Sequence, residues 1–250
     1  MRRQTGTWVA IVALVVGSAA PVAWGQLIVN VVETGGDNEP TDTITAKWTG
    51  QTFPVSVANE PVPGAVVGTN YTVPTFGSGA PAYVDRGNRY FDDAPNSLPV
   101  LAYLTGAEYI ISGNDNRDNA SYRLDVTVSQ PVTAYMLIDN RLSDGDSSNP
   151  PTFDPTHMQW ILDQGWLATS NGLNRAGSAA RPDEVPLDES SDGNIDQWYS
   201  VYSKTFPAGT FSLFQPDNSG RNMYGVVITP EPAACLLGLA VFGFIRRRRC

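Results

Sequence analysis

Cysteine and histidine are nearly missing from this chain of 250 residues. The two cysteines, Cys235 and Cys250, both sit near the C-terminus, so the body before them has no disulfide and depends on core packing. His157 is the single histidine, which leaves a His-based triad one candidate and a histidine metal cage none. FGSGA around Ser78 does not have the spacing of a G-x-S-x-G nucleophile elbow. Basic residues are scarce as well, 16 against 25 acidic ones, for a net charge of −9. Six of the 16 are Arg2, Arg3 and Arg246 to Arg249; without them ten basic residues face 25 acidic ones, a net −15. A body this acidic argues against nucleic acid and favours cations or neutral polymers as partners. Long apolar runs are also lacking, which makes a permanent helical anchor a poor reading.

Glycine (23) and proline (19) are plentiful while charged residues make up 16%, the profile of many short strands joined by turns. LIVNVV (Leu27 to Val32) reads as a short buried strand, and TITAKW (Thr43 to Trp48) alternates. SYRLDVTV (Ser121 to Val128) alternates cleanly, Tyr122, Leu124, Val126 and Val128 on one face and Arg123, Asp125 and Thr127 on the other. VTAYMLID (Val132 to Asp139) is apolar on both faces and should be central. QWYSVYSKTF, GTFSLFQ and MYGVVIT, broken by PAG and PDNSGRN, predict an antiparallel meander. One helix is expected from Asp154, with Asp154 as N-cap, Pro155 at the first helical position, Met158, Ile161 and Leu162 on one face, and Gly165 as the stop. The pattern predicts an all-β antiparallel β-sandwich, jelly-roll or galactose-binding-like, over residues 26–229 as a single domain.

DESSDGNIDQWY is the strongest candidate metal loop. Asp188, Ser190, Asp192, Asn194 and Asp196 have the spacing of oxygen ligands for calcium around the turn at Gly193. Tyr199 stands where an EF-hand has its bidentate Glu, so the choice is between a looser calcium loop and a solvated acidic turn. SDGDSSN (Ser143 to Asn149) and NDNRDN (Asn114 to Asn119) read as turns. Of the body's tryptophans, Trp48, Trp160, Trp166 and Trp198 could stack on sugar rings or fill the core; Trp166, beside Gly165, is expected to be the exposed one, and Trp198 is the second ligand candidate. Asp92 and Asp93 are adjacent, so on a strand they point to opposite faces and cannot act as a pair. No catalytic residue is assigned.

The two ends read as addresses. Arg2 and Arg3, then Trp8 to Ala20, then the small residues Ala23 and Gly25 have the order of a secretory signal peptide cleaved before Gln26, which implies a Sec translocon and signal peptidase. At the other end, TPEP is followed by an apolar run and four arginines. The run, 233–245, would span about 20 Å as a helix against roughly 30 Å of hydrocarbon, so it suits only transient membrane contact. This segment resembles the PEP-CTERM sorting signal of Gram-negative bacteria, also known as the ice-binding protein C-terminal domain. The resemblance implies that an exosortase recognises Pro230, Glu231 and Pro232, that Arg246, Arg247, Arg248 and Arg249 form the stop, and that the protein serves exopolysaccharide or biofilm. Thr229 replaces the family's usual valine. The prolines are expected to hold this peptide outside any helix or sheet. The strand motifs from YLTGAEYI to MYGVVI resemble a galactose-binding-like module of secreted carbohydrate-active proteins, generally non-catalytic. The expectation is an exported structural or adhesive envelope protein with polysaccharide as a partner. The rival is a secreted glycoside hydrolase or lyase.

Overall fold

Alternation decides the smaller of two packed sheets. β1 (Ile28–Thr34), β7 (Arg123–Val128) and β12 (Gly209–Phe214) form it in the order β1-β7-β12, every ladder antiparallel. The structure, a computed structural model, describes residues 26–36, 45–55, 66–92, 98–217 and 220–231. On β7, Leu124, Val126 and Val128 are buried, while Arg123 is exposed and Asp125 and Thr127 are half-buried, as the sequence pattern requires. The outer face is laced by polar cross-strand pairs. Ser212 donates to Asp125 Oδ1 at 2.6 Å, and the Thr127 and Thr210 hydroxyls meet at 2.8 Å.

The larger sheet contains β2 (Lys47–Trp48), β6 (Glu108–Ile111), β13 (Gly225–Pro230), β8 (Val132–Asp139), β11 (Gln197–Phe206), β10 (Glu184–Asp188) and β5 (Arg89–Tyr90), in that order. β9 (Leu167–Ala168) pairs with the far end of β11, and β3 (Thr52–Pro54) with β4 (Asn70–Thr72) makes a separate hairpin. β8 is central, as its two-faced apolarity predicts.

β5 and β13 stand four strands apart, which in a flat sheet would be about 19 Å. Yet a Cβ added at Gly225 would lie 2.1 Å from the Tyr90 hydroxyl. The sheet therefore curls into a half-barrel, and only a glycine at 225 admits the phenol. The concave side is filled by aromatic rings. Phe76 packs on Tyr90 (4.9 Å between centroids) and Tyr109 (5.6 Å), and Tyr90 on Tyr199 (6.5 Å). Tyr83, fully buried, joins its hydroxyl to those of Tyr199 at 2.7 Å and donates to the Met223 carbonyl. The convex side meets the small sheet, where Tyr224 packs edge-on against Tyr122 at 6.5 Å. These two packed sheets are the all-β antiparallel sandwich that the sequence predicts.

Four local expectations are corrected. The C-terminal strands are no meander: β11 and β13 lie in the large sheet, but β12 crosses to the small one. Gly209, at φ +128°, makes the corner, and Phe211 and Leu213 then bury inward beside β7. The LIVNVV strand is not buried throughout. It is a sheet edge with a register shift between Ile28 and Asn30, and Val29 is 50% exposed. Of the described part of TITAKW, Thr45 to Trp48, only Lys47 and Trp48 are in a strand; Thr43 and Ile44, like Asp93, lie outside the described residues. The helix α1 is confined to Gln159–Asp163, since Met158 before it is left-handed at φ 50°. Asp154 caps a tight turn instead, accepting from the Thr156 amide and hydroxyl and pairing with His157 Nδ1 at 2.9 Å. Ile161 is buried, but Leu162 is 50% exposed.

Candidate functional site

β8 has two ends, about 23 Å apart for its eight residues. At the Asp139 end, polar side chains are sunk among the loops. Arg141 forks onto Asp139, with Nη2 2.7 Å from Asp139 Oδ2 and also 2.7 Å from Glu189 Oε1. The Asn222 amide N–H donates to Asp139 Oδ2 at 3.1 Å, and Asn114 takes the Met223 amide. Next to it, Asn140 bridges Ser200 and Glu184, and Glu184 holds the Arg175 amide and guanidinium. Further along β8, beside Val201, Asp183 accepts from the Asn171 and Leu173 amides and from the hydroxyl of Tyr103, whose ring lies on Tyr135 in mid-strand. These carboxylates are joints between loops, each engaged by an arginine or by backbone N–H groups.

The candidate calcium loop lies at this end, and its oxygens are turned to internal use. Asp188 is fully buried, accepts from the Gly193 amide at 3.0 Å and faces Arg89 at 3.6 Å. Asp196 takes the Glu189 and Ser190 amides, and Asp192 that of Asn194. Ser190 Oγ lies between Asp188 and Asp196. Among the described residues no three Asp, Glu, His or Cys side chains are grouped to hold a metal ion.

Both tryptophan candidates are buried. Trp166, expected to be exposed, is 3% exposed, because its ring packs on Phe206 at the end of β11 and its indole N–H reaches Gln164. Trp198 is 8% exposed and carries the Arg175 guanidinium 4.7 Å above its ring, where a sugar would have stacked. Two further carboxylates have pKa values raised by burial. Glu33 accepts from the Tyr122 hydroxyl and the Ala46 amide, and Asp85 from the Asn114 amide. Glu33 ties the small sheet to the loop at Ala46, and Asp85 ties its own loop to the turn at Asn114.

At the Val132 end of β8 the described chain begins and finishes. Glu108 on β6 clamps the start, Oε1 accepting from the Leu27 amide at 2.7 Å and Oε2 from the Ile28 amide at 2.8 Å. The finish is held too, contrary to the expectation that the prolines keep this peptide out of the sheet. Pro230 is the last residue of β13, opposite Val132. The Glu231 amide donates to the Pro131 carbonyl, and Thr133 donates to Glu231 Oε1 at 2.8 Å. Proline is tolerated at a strand end because the ladder asks no N–H of it there. Pro232, the run 233–245, Arg246 to Arg249 and the leader 1–25 lie outside the described residues.

Between these clamped ends is a cleft of about 560 Å³. Leu27, Ala107, Ile228 and Pro230 give it an apolar lining, and Thr49, Thr75, Thr105 and Thr229 add hydroxyls. Tyr103, Gly106 and Glu108 complete it. Sequence reading missed this site, since its residues are scattered from 27 to 230 and no spacing links them. YLTGAEYI, which contributes Tyr103 to Glu108, reads in the sequence only as one of the strand motifs that resemble a galactose-binding-like module.

No protein-family model matches the chain, and no curated protein matches it. Two solved structures are similar in part. A beta-glucuronidase from glycoside hydrolase family 2 is 17% identical with a TM-score of 0.39, over 62% of this chain and 13% of that one. A GH138 enzyme targeting pectin rhamnogalacturonan II is 11% identical with a TM-score of 0.33, over 61% of this chain and 14% of that one. The chain thus spans about an eighth to a seventh of the length of those enzymes, whose activities are their own.

Proposed function

We propose that this is an exported protein of a Gram-negative cell envelope or extracellular matrix, sorted by its tail and displaying a non-catalytic, structural or adhesive β-sandwich. The observation that carries the reading is the order of features from Thr229 to Cys250: Pro-Glu-Pro, a short apolar run, four arginines. An exosortase is the partner that this order implies. The body is compatible with display. Its start at Gln26 and its finish at Glu231 flank one cleft, so a leader and a sorting tail would both leave from one end of the sandwich. Among the described residues, the buried carboxylates Asp139, Asp183, Glu184 and Asp188 are engaged as joints between loops, which supports a binding or scaffolding role over turnover.

Intact mass of the protein recovered from its native cells tests this. Loss of the first 25 residues together with loss of mass from, or addition to, the segment after Pro230 is expected. Full-length chain in the cytosol, arginines included, would refute it. Hydrolysis or cleavage of a polysaccharide, abolished by changing a specific carboxylate, would replace the body's proposed role with that of a carbohydrate-active enzyme.

A further inference from the structure

We infer that the cleft between β1, β6 and the end of β13 binds a short neutral saccharide; this rests on the adhesive reading of the body proposed above. Its volume, about 560 Å³, lies within the roughly 300–1,000 Å³ of small-ligand sites. What selects the ligand is the state of the polar groups lining the cleft. The Thr49 hydroxyl donates to the Pro74 carbonyl at 3.0 Å and accepts the Tyr109 amide at 3.0 Å. Thr105 donates to the Leu101 carbonyl at 3.2 Å, and Tyr103 donates to Asp183 Oδ2 at 2.9 Å. Their protons are committed to the protein, but hydroxyl and carboxylate oxygens keep lone pairs to spare. These three groups therefore offer acceptors to a ligand's donors, which sugar hydroxyls supply.

Charge narrows the choice further. None of the residues lining the cleft is basic, so an anionic ligand has no counter-charge. The single acid, Glu108, already receives two backbone N–H groups, one on each oxygen, which blunts its pull on a cation. The ring of Tyr103 is half-buried, leans on Tyr135 at 5.5 Å and is held at its hydroxyl, so it cannot swing away. A fixed aromatic face beside Leu27, Ala107 and Ile228 suits the C–H face of a pyranose, while the threonine oxygens meet its rim. Trp166 and Trp198, the sequence candidates for this task, are both buried and packed by other groups.

The test is calorimetry and saturation-transfer NMR on the full-length protein in mild detergent. The probes are glucose, galactose, N-acetylglucosamine and cellobiose, with glucosamine and glucuronate as charged controls. Binding of at least one neutral sugar, and of it in preference to both controls, is expected. Thr75 and Thr105 are exposed, so Thr75→Arg and Thr105→Arg should fill the cleft without touching the core. Each should weaken binding about tenfold or more at an unchanged melting temperature, as loss of one good polar or aromatic contact does. Tyr103→Ala should also weaken binding, at a lowered melting temperature because Asp183 and Tyr135 lose a partner, and Tyr103→Phe should keep the ring and the binding. Absence of binding to every neutral sugar, preference for glucosamine, or indifference to Thr75→Arg and Thr105→Arg would each overturn the site. Protein trimmed at both ends that binds no sugar overturns this inference and leaves the sorting reading standing. Untrimmed protein that binds through Tyr103 supports the site and removes the sorting.

Discussion

The two ends of β8 hold polar groups in opposite ways. At Asp139, the carboxylates of Asp139, Glu184 and Glu189 are cross-linked to arginines, to asparagine side chains or to backbone amides. At Val132, a few polar atoms fasten the chain's start and finish and leave a cleft between them. A dense acidic loop catches the eye in a sequence, but packing has turned its carboxylates into structural joints. The end without an obvious motif keeps accessible surface. In this molecule, richness in chemical side chains and availability for binding are separate properties.

The sharpest way to break that contrast is Asp139→Ala. It would take from Arg141 its forked partner, leaving it Glu189 alone, and from the Asn222 amide its carboxylate acceptor, and should cost about 3–5 kcal/mol in urea unfolding. A cost below about 1 kcal/mol would mean that the Asp139 end is not the joint described. Gly225→Ala should follow at about 2 kcal/mol, because the new methyl meets the Tyr90 hydroxyl. Adding Tyr90→Phe should restore part of that loss, and a purely additive double mutant would refute the contact. At the other end, Glu108→Gln should cost only about 1 kcal/mol. It should also speed hydrogen exchange at the Leu27 or Ile28 amide, whichever loses its acceptor.

The pH dependence separates two kinds of carboxylate. Asp154 is held well below the usual range by the Thr156 hydroxyl and by His157, and Asp146 and Asp192 are lowered by neighbouring hydroxyl and amide donors. Their contribution is present above the ordinary carboxylate pKa of about 4 and is lost as the pH falls below it. Glu33 and Asp85 act in the opposite sense. Burial raises their pKa values, so the folded state takes up protons first and stability falls as the pH rises through that window. The melting temperature should therefore pass through a maximum just above the carboxylate range, and Glu33→Gln should flatten its alkaline side. A monotonic rise from pH 4 to 7 would contradict the burial of Glu33. The smallest effect is expected from calcium: with Asp188 and Asp196 engaged by backbone amides, neither calcium chloride nor EDTA should shift the melting temperature. A rise with calcium would return the loop to the list of metal sites.

The strand character of Ser121 to Val128 and of Val132 to Asp139 was legible because period-two burial writes itself directly into residue order. The path of β12 was not, since GTFSLFQ carries the same alternation whichever sheet receives it; the corner at Gly209 and the β7 partners chose the small sheet. The helix start misled because Asp154 and Pro155 suit a capped turn as well as an N-cap, and Met158 then breaks the helical geometry. Trp166 misled for a related reason: its neighbour Gly165 marks a turn, but a turn can point an indole inward as readily as outward. The cleft left no trace in the residue order, since its parts come from five separated segments.

By itself the sequence determined what is local: the β character of the body, its acidity, and the linear order of charged, apolar and small residues at each end. Tertiary structure decided which side chains meet. Whether an aspartate is a ligand or a joint, and whether a tryptophan faces a sugar or a phenylalanine, depends on groups dozens of residues away. Curling of the large sheet and the crossing of β12 bring those groups together, and neither is encoded by any one segment.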